Sequence, residues 1–131
     1  MASAEHLPAR EVAKTVVVFC DNNYYILVVP ASRHLRLGEV QYALGLNHVR
    51  LATETELMAL FPDCELGAMP PIGALYDIPV YVDSALAQQK TIAFNGCTHR
   101  DAVHMSMTGF RELDAPRVVS LIRSEVASHA W

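Results

Sequence analysis

Two runs of β-branched and aromatic residues, Lys14–Cys20 (KTVVVFC) and Tyr24–Val29 (YYILVV), are separated only by Asp21-Asn22-Asn23. Val, Phe and Tyr suit a pleated surface. Asp and Asn tolerate the turn conformations that a tight reversal needs, so the pattern predicts an antiparallel hairpin. The chain has 131 residues, 52% of them hydrophobic, which is material for one core and too little for two. One domain over residues 1–131 is therefore expected.

The remaining elements are short. Pro30 closes the second strand, and Leu37–Leu44 places Leu37, Val40, Tyr42 and Leu44 on a helix ending at Gly45. Val49–Ala52 suits a brief strand. Thr53 followed by Glu56 forms a capping box for a helix from about Glu54 to Phe61, stopped by Pro62. Gly67 to Pro79 holds two glycines and several prolines and is expected to be mainly loop, with Leu75 and Tyr76 turned inward. Pro79–Asp83 and Thr91–Asn95 alternate like strands around a helical turn at Ser84–Gln89, and Val103–Met107 suits a further strand. Thr108 is placed to cap a helix through Leu113. From Pro116 onward, Val118, Val119, Leu121, Ile122 and Val126 suit a helix, while the β-branched start equally suits an edge strand. Strands interleaved with short helices, without regular long crossovers, predict a mixed α+β domain with a curved, barrel-like sheet.

The formal charge of −4 argues against a protein that coats duplex DNA, because such binding depends on releasing counterions with many Lys and Arg side chains. It leaves room for an RNA end held in a shaped pocket by a few cations. Cys20, Cys64 and Cys97 are odd in number, widely spaced and without a C-x-x-C pair, which predicts neither a disulfide framework nor a zinc ribbon and fits a reducing cytoplasm. Met1–Arg10 has no apolar h-region and no run approaches the length of a membrane span, so neither a signal peptide nor a membrane protein is expected.

Three places invite chemistry. Lys14 opens an otherwise apolar strand, where its ammonium can address an anion or a carbonyl oxygen; a lysine at a strand end is ordinarily just solvated. Gly67-Ala68-Met69-Pro70-Pro71 joins a permissive glycine to two stiff prolines and can clamp a small group with backbone amides, although most Gly/Pro segments are simple connectors. Asn95-Gly96-Cys97-Thr98-His99 ends a strand in a glycine turn, and His99 there can bind, orient or shuttle a proton. Cys97 and His99 lie too close on one turn for in-line activation of a thiol, and no third orienting group is evident. With His104 they form only a loose cluster of ligand types, so no metal site is expected; without a Walker, G-x-G-x-x-G or G-x-S-x-G motif, no cofactor is expected either.

Taken together and in order, Val12–Val18, Leu27–Ser32, Phe61–Gly73, Val80–Asp83 and Ile92–His99 resemble the segments of the YbaK/prolyl-tRNA editing-domain family, and they run through nearly the whole chain from Glu11 to about Val118. The resemblance implies a trans-editing deacylase that hydrolyses the ester of mischarged aminoacyl-tRNA with a positioned water and no covalent intermediate. It matches the family's strand lysine to Lys14, its G-x-x-x-P loop to Gly67 and Pro71, and its glycine-turn histidine to His99, which makes Lys14, Gly67 and His99 the candidate catalytic set. Ala68, Met69, Pro70, Pro71, Asn95 and Gly96 are the candidate substrate-binding residues. Lys14 would anchor the terminal phosphate or ribose. Met69, Ile72 and Leu75 would wall a cavity that admits Ala-, Ser- or Cys-sized side chains.

The implied partner is the acceptor end of aminoacyl-tRNA, without DNA or membrane. Only thirteen residues precede Lys14 where family members carry an additional covering segment, a loss that would leave the cavity open, widen its specificity or abolish activity, and Gly96-Cys97-Thr98-His99 replaces the commoner Ala-Gly-Ser-His. Two other readings stay open: a non-catalytic module that binds an aminoacyl-adenosine-like ligand or a protein partner, and a homodimer in which a second copy covers the N-terminal edge.

Overall fold

A computed structural model describes residues 8–122 of the chain. The hairpin forms as the sequence predicts and gains a residue at each end: β1 (Ala13–Cys20) pairs antiparallel with β2 (Asn23–Pro30), in a register running from Ala13 opposite Pro30 to Cys20 opposite Asn23. Asp21 and Asn22 make the reversal at φ 51° and 65°, the left-handed conformation that these two residue types adopt at low cost. β2 is the centre of the molecule. Ile26, Leu27, Val28 and Val29 are all fully buried, because both faces and both edges of the strand are covered.

Beyond the hairpin the sheet is mixed. β3 (Arg50–Leu51) adds antiparallel to the outer edge of β1, β4 (Val80–Asp83) adds parallel to β2, and β7 (Arg117–Val119) adds parallel to β4, giving the order β3-β1-β2-β4-β7. β5 (Thr91–Asn95) and β6 (Ala102–Ser106) form a separate two-stranded ladder. A single parallel bridge from Val12 to Ala93 joins the two sheets. The ladder is open. The mixed α/β domain is as expected; among the described residues the sheet is not closed, because β5 meets the β1 side at one residue instead of along a strand.

Alternation along the strands sorts side chains into two cores. On one face Ala13, Val17, Ile26, Val28, Val80 and Val82 pack with Phe61, Leu86, Phe94 and Phe110. On the other, Val18, Leu27 and Val29 meet Val40 of α1 (Leu37–Leu44), together with Val49 and Leu121. α1 stops at Gly45, whose φ of 67° turns its N–H back on the last carbonyls. α2 (Glu54–Leu60) carries the expected capping box of Thr53 and Glu56. α3 is a single turn (Ser84–Ala87). α4 (Met107–Asp114) is capped by Ser106, not by the expected Thr108: the Ser106 hydroxyl accepts from Gly109 N–H at 3.0 Å, so the helix begins one residue before Thr108.

The ambiguous tail resolves as an edge strand at Val118 and Val119, since β4 offers an unpaired parallel edge there; Val126 lies outside the described residues. The Gly67–Pro79 segment is loop apart from a 3-10 turn at Gly73–Leu75, which Asp114 holds by accepting from Ala74 N–H at 2.7 Å and Gly73 N–H at 3.2 Å. Burial raises the Asp114 carboxyl above its ordinary range against the opposing pull of those two N–H groups. Tyr76 packs inward as expected, edge-on to Phe61 at 4.5 Å between ring centres, but Leu75 is 67% exposed. Among the described residues no helix is long and apolar enough to cross a membrane.

Two polar centres tie the periphery to this frame. Asp83 is the buried charged residue of the core: one carboxylate oxygen accepts from Leu121 N–H at 2.8 Å and Ile122 N–H at 3.1 Å, the other from Ala85 N–H at 3.1 Å. Asp83→Ala leaves three donors without their acceptor, and we expect it to lower the unfolding free energy by about 3 kcal/mol in denaturant titration, with Asp83→Asn costing less.

Glu56 is the second centre. It receives both arms of Arg50 at 2.8 and 2.9 Å, the Thr53 backbone N–H at 2.8 Å and the Tyr24 hydroxyl at 2.6 Å, and Arg50 in turn lies 4.4 Å over the Phe19 ring. The Arg50 guanidinium first, then the Thr53 N–H and the Tyr24 hydroxyl, hold the Glu56 carboxyl far below the usual glutamate range. A depressed folded-state value contributes stability above the unfolded-chain value of about 4.3 and loses it as pH falls below that point. Glu56→Gln should therefore flatten the acid limb of a Tm-against-pH curve relative to wild type.

Candidate active site

The outer edge of β1 is paired at both ends and open between them. Val12 bridges to Ala93 of β5, and Val17 C=O accepts from Ala52 N–H at 2.9 Å where β3 begins to pair; β3 itself reaches only Val18 and Phe19. A two-residue β3 cannot extend along Ala13–Val16, and β5 diverges after its single bridge. The gap is a hollow of about 120 Å³ lined by Val12–Thr15, Ala31, Gly67, Met69, Phe94 and Asn95. This is room for about four waters at their liquid volume, well below the roughly 300–1,000 Å³ of a pocket for a drug-sized ligand. Lys14 is half-buried on its wall, and the Asn95 amide oxygen is buried with no hydrogen-bond partner among the described residues.

Gly67 enters the hollow on a loop that is fastened to the turn after β5. Glu65 N–H donates to Cys97 C=O at 2.7 Å and Cys97 N–H donates to Ala68 C=O at 2.9 Å, so the two segments are paired across one rung. Glu65 Oε1 also accepts from His99 N–H at 2.8 Å. Gly67 has φ 84°, the left-handed region that favours glycine. The His99 ring lies directly behind it: its Nε2 donates to Leu66 C=O at 2.8 Å, and a methyl built on Gly67 would meet His99 Cε1 at 3.4 Å. Because a carbonyl can only accept, this bond fixes the tautomer with the proton on Nε2.

Cys64 and Cys97 are joined by a disulfide, which corrects the sequence expectation of none; 33 residues of separation hid a pairing that the return of the loop onto the turn brings about. Cys97 therefore presents no thiol, and its positive φ of 77° aims the following residues toward Glu65. Cys20 is free and buried, its Sγ donating to Asn47 C=O at 3.0 Å, and burial raises its thiol above the ordinary cysteine range.

The structure thus brings Lys14, Gly67, Met69 and Asn95 onto one hollow. His99 stands behind the loop, and Gly96 lies in the turn, outside the lining. Ala68, Pro70 and Pro71 are buried within the loop and do not line the hollow. Of the three expected wall residues only Met69 is one: Ile72 packs against the main core and Leu75 faces solvent. Thr15, Ala31 and Phe94 line the hollow without having been singled out. Ala31 follows directly after Pro30, the partner of Ala13, so hairpin register was the signal that could have found it.

The model of the aminoacyl-tRNA editing domain matches residues 1–113. Curated relatives include the proline--tRNA ligase of Bacillus cytotoxicus, 31% identical over 84 residues that make 64% of this chain and 14% of that ligase. The ligase of Bacillus cereus strain AH187 is 28% identical over 93 residues, 71% of this chain and 16% of the ligase. The chain therefore corresponds to a small part of each ligase. Among solved structures, one described as a candidate trans-editing enzyme for prolyl tRNA synthetase shares the fold at TM-score 0.80 and 23% identity, over 94% of this chain and 77% of that one. With the ordered segments, the hollow and the match over residues 1–113 in view, the chain belongs to the family of YbaK-type aminoacyl-tRNA editing domains.

Proposed function

We propose that the protein is an aminoacyl-tRNA deacylase, and the observation that carries this reading is that Lys14 and Gly67 open onto one small hollow. Water attacks the ester carbonyl carbon, the bond to the ribose oxygen breaks, and that oxygen leaves with a proton. The products are a free amino acid and a tRNA end with its hydroxyl restored. The residues around the hollow include no activated nucleophile, so rate comes from holding water and ester in register and from dipoles directed at the developing oxyanion.

Each residue then has a role that its surroundings support. Lys14 holds the phosphate or ribose of the terminal adenosine and offsets charge that builds on the oxyanion. The Asn95 oxygen, which has no partner among the described residues, accepts from a donor on the substrate, the α-ammonium or the attacking water. Gly67 lets the backbone approach the ester. His99 acts through the loop as a positioning residue, since its Nε2 proton is committed to Leu66. At about 120 Å³ the hollow accepts a small aminoacyl side chain and rejects a larger one, with Met69 and Phe94 as the apolar walls. The cytoplasm, where aminoacyl-tRNAs are, is the compartment this reading implies.

A panel of mischarged tRNAs assayed for release of free amino acid tests the reading; no turnover of any of them at high enzyme concentration would overturn it. Lys14→Ala should lower kcat/KM by about 10²-fold with little change in melting temperature, since the side chain is half-buried at a strand edge. Saturable binding of a non-hydrolysable aminoacyl-adenosine analogue without turnover of the matching ester would identify a binding module instead. Gly67→Ala places a side chain at φ 84° and should cost about 1–2 kcal/mol of stability through backbone strain. The same shift of the loop should lower kcat by roughly 10–100-fold, a larger effect than the stability loss alone accounts for.

A further inference from the structure

The disulfide stands between two walls of the hollow. Cys64 lies shortly before Gly67 and Cys97 shortly after Asn95, and both Gly67 and Asn95 line the hollow. The covalent link therefore sets the spacing between the loop that carries Gly67 and the turn that follows β5. Hydrogen bonds span the same gap: Glu65 N–H to Cys97 C=O, Cys97 N–H to Ala68 C=O, His99 N–H to the Glu65 carboxylate and the His99 ring to Leu66 C=O. These bonds keep loop and turn together when the sulfurs part, so opening the link slackens the fastening without removing it.

The surroundings suit the pair to reversible chemistry. Cys64 and Cys97 are each only partly buried, and Pro62, Asp63, Glu65 and His99 beside them in the chain are exposed, so a small thiol can reach the sulfurs. The Tyr76 hydroxyl lies 3.5 Å from Cys64 Sγ and 3.7 Å from Cys97 Sγ. Sulfurs joined in a disulfide carry no proton, so the hydroxyl is the donor, and burial raises its pKa above the ordinary tyrosine value and keeps it protonated. A donor beside a sulfur that leaves as a thiolate stabilises that thiolate and speeds exchange. Cys97 has φ 77°, a left-handed conformation that residues other than glycine adopt only at a cost. With the link open, one constraint that holds it there is gone, and relaxation at Cys97 shifts its neighbours on either side. The deacylase reading also places the protein with aminoacyl-tRNAs in a compartment that keeps thiols reduced, where a disulfide is ordinarily a transient state instead of a permanent strut.

We propose that Cys64 and Cys97 form a thiol–disulfide switch on the candidate active site: closed, it sets the Gly67 loop against the Asn95 turn, and opened by a dithiol reductant it lets them part and slows turnover. One thiolate of the dithiol attacks a protein sulfur, and the other protein sulfur leaves as a thiolate and takes up a proton. The second dithiol sulfur then displaces the first protein sulfur, so that two electrons and two protons pass to the cysteine pair and the dithiol becomes its own disulfide. Oxidised dithiol reverses the exchange. The effect on turnover rests on the deacylase reading; the exchange and the loosening of the loop do not.

Native protein incubated with dithiothreitol, or with the cyclic oxidised form of that reagent, is alkylated in denaturant and its thiols counted by mass. Three should be found after the first treatment and one, Cys20, after the second, with interconversion in the native fold within minutes. On alanine-mischarged tRNA the reduced protein should show kcat lowered about tenfold and recover on reoxidation. Cys64→Ser/Cys97→Ser should stay at the reduced level in both buffers; if that variant does not fold, wild type compared across the two buffers carries the test. Amide exchange at Glu65 and Cys97 should quicken about tenfold on reduction, with Ile26–Val29 of β2 unchanged.

A link that opens only in denaturant is a permanent strut, and three thiols in both buffers mean that no link forms; either result overturns the proposal, as does an equal kcat in the two states. If wild type hydrolyses no mischarged tRNA in either state, the deacylase reading fails. Amide exchange then decides the switch by itself: faster exchange at Glu65 and Cys97 in the reduced protein supports it, and unchanged exchange refutes it.

Discussion

The unpaired outer edge of β1 from Ala13 to Val16, on the side away from β2, is the constraint on which the rest of the molecule turns. A strand edge ordinarily seeks a partner along its whole length. Here β5 takes it at Val12 and Ala52 takes it at Val17, and the few residues between are spread apart from both. Spreading the two sheets at that point opens the hollow of about 120 Å³. Lys14 gains its setting from this gap, since in a fully paired strand its neighbours on that edge would be another strand's backbone.

What keeps the gap from collapsing is the fastening of the Gly67 loop to the turn after β5. The two backbone bonds between Glu65, Ala68 and Cys97, the Glu65 carboxylate on His99 N–H, the His99 ring under Leu66 and the Cys64–Cys97 disulfide all act across the same short span. The buried run from Ala68 to Pro71 anchors the far side of the loop in the main core. A loop held from both ends presents its glycine at a set position. His99 belongs to this fastening and does not line the hollow.

Much of the frame was legible residue by residue. The Asp21-Asn22 reversal, the capping box of Thr53 and Glu56, the glycine stop at Gly45 and the strand Thr91–Asn95 each rest on local steric or hydrogen-bonding preferences that act within a few residues. Misreadings arose where two local signals competed. Ser106 and Thr108 are both good caps, and which one is used depends on where β6 ends against β5. Leu75 belongs by hydropathy to an interior, yet the 3-10 turn held by Asp114 rotates it into solvent. The disulfide was invisible because nothing near Cys64 or Cys97 in the chain announces the other.

The candidate site divides along the same line. By itself the amino-acid order determined which residue types were available, a strand lysine, a stiff Gly-to-Pro bend and a polar glycine turn, because these follow from local chemistry and from the ordered resemblance to one family. Only the tertiary structure decided which of them share a space. Lys14, Gly67, Met69 and Asn95 meet on a hollow, while Gly96, Ile72 and Leu75 fall outside it. Such meetings depend on strand register, on the length of β3 and on how far two sheets part, which are set by the packing of residues distant along the chain.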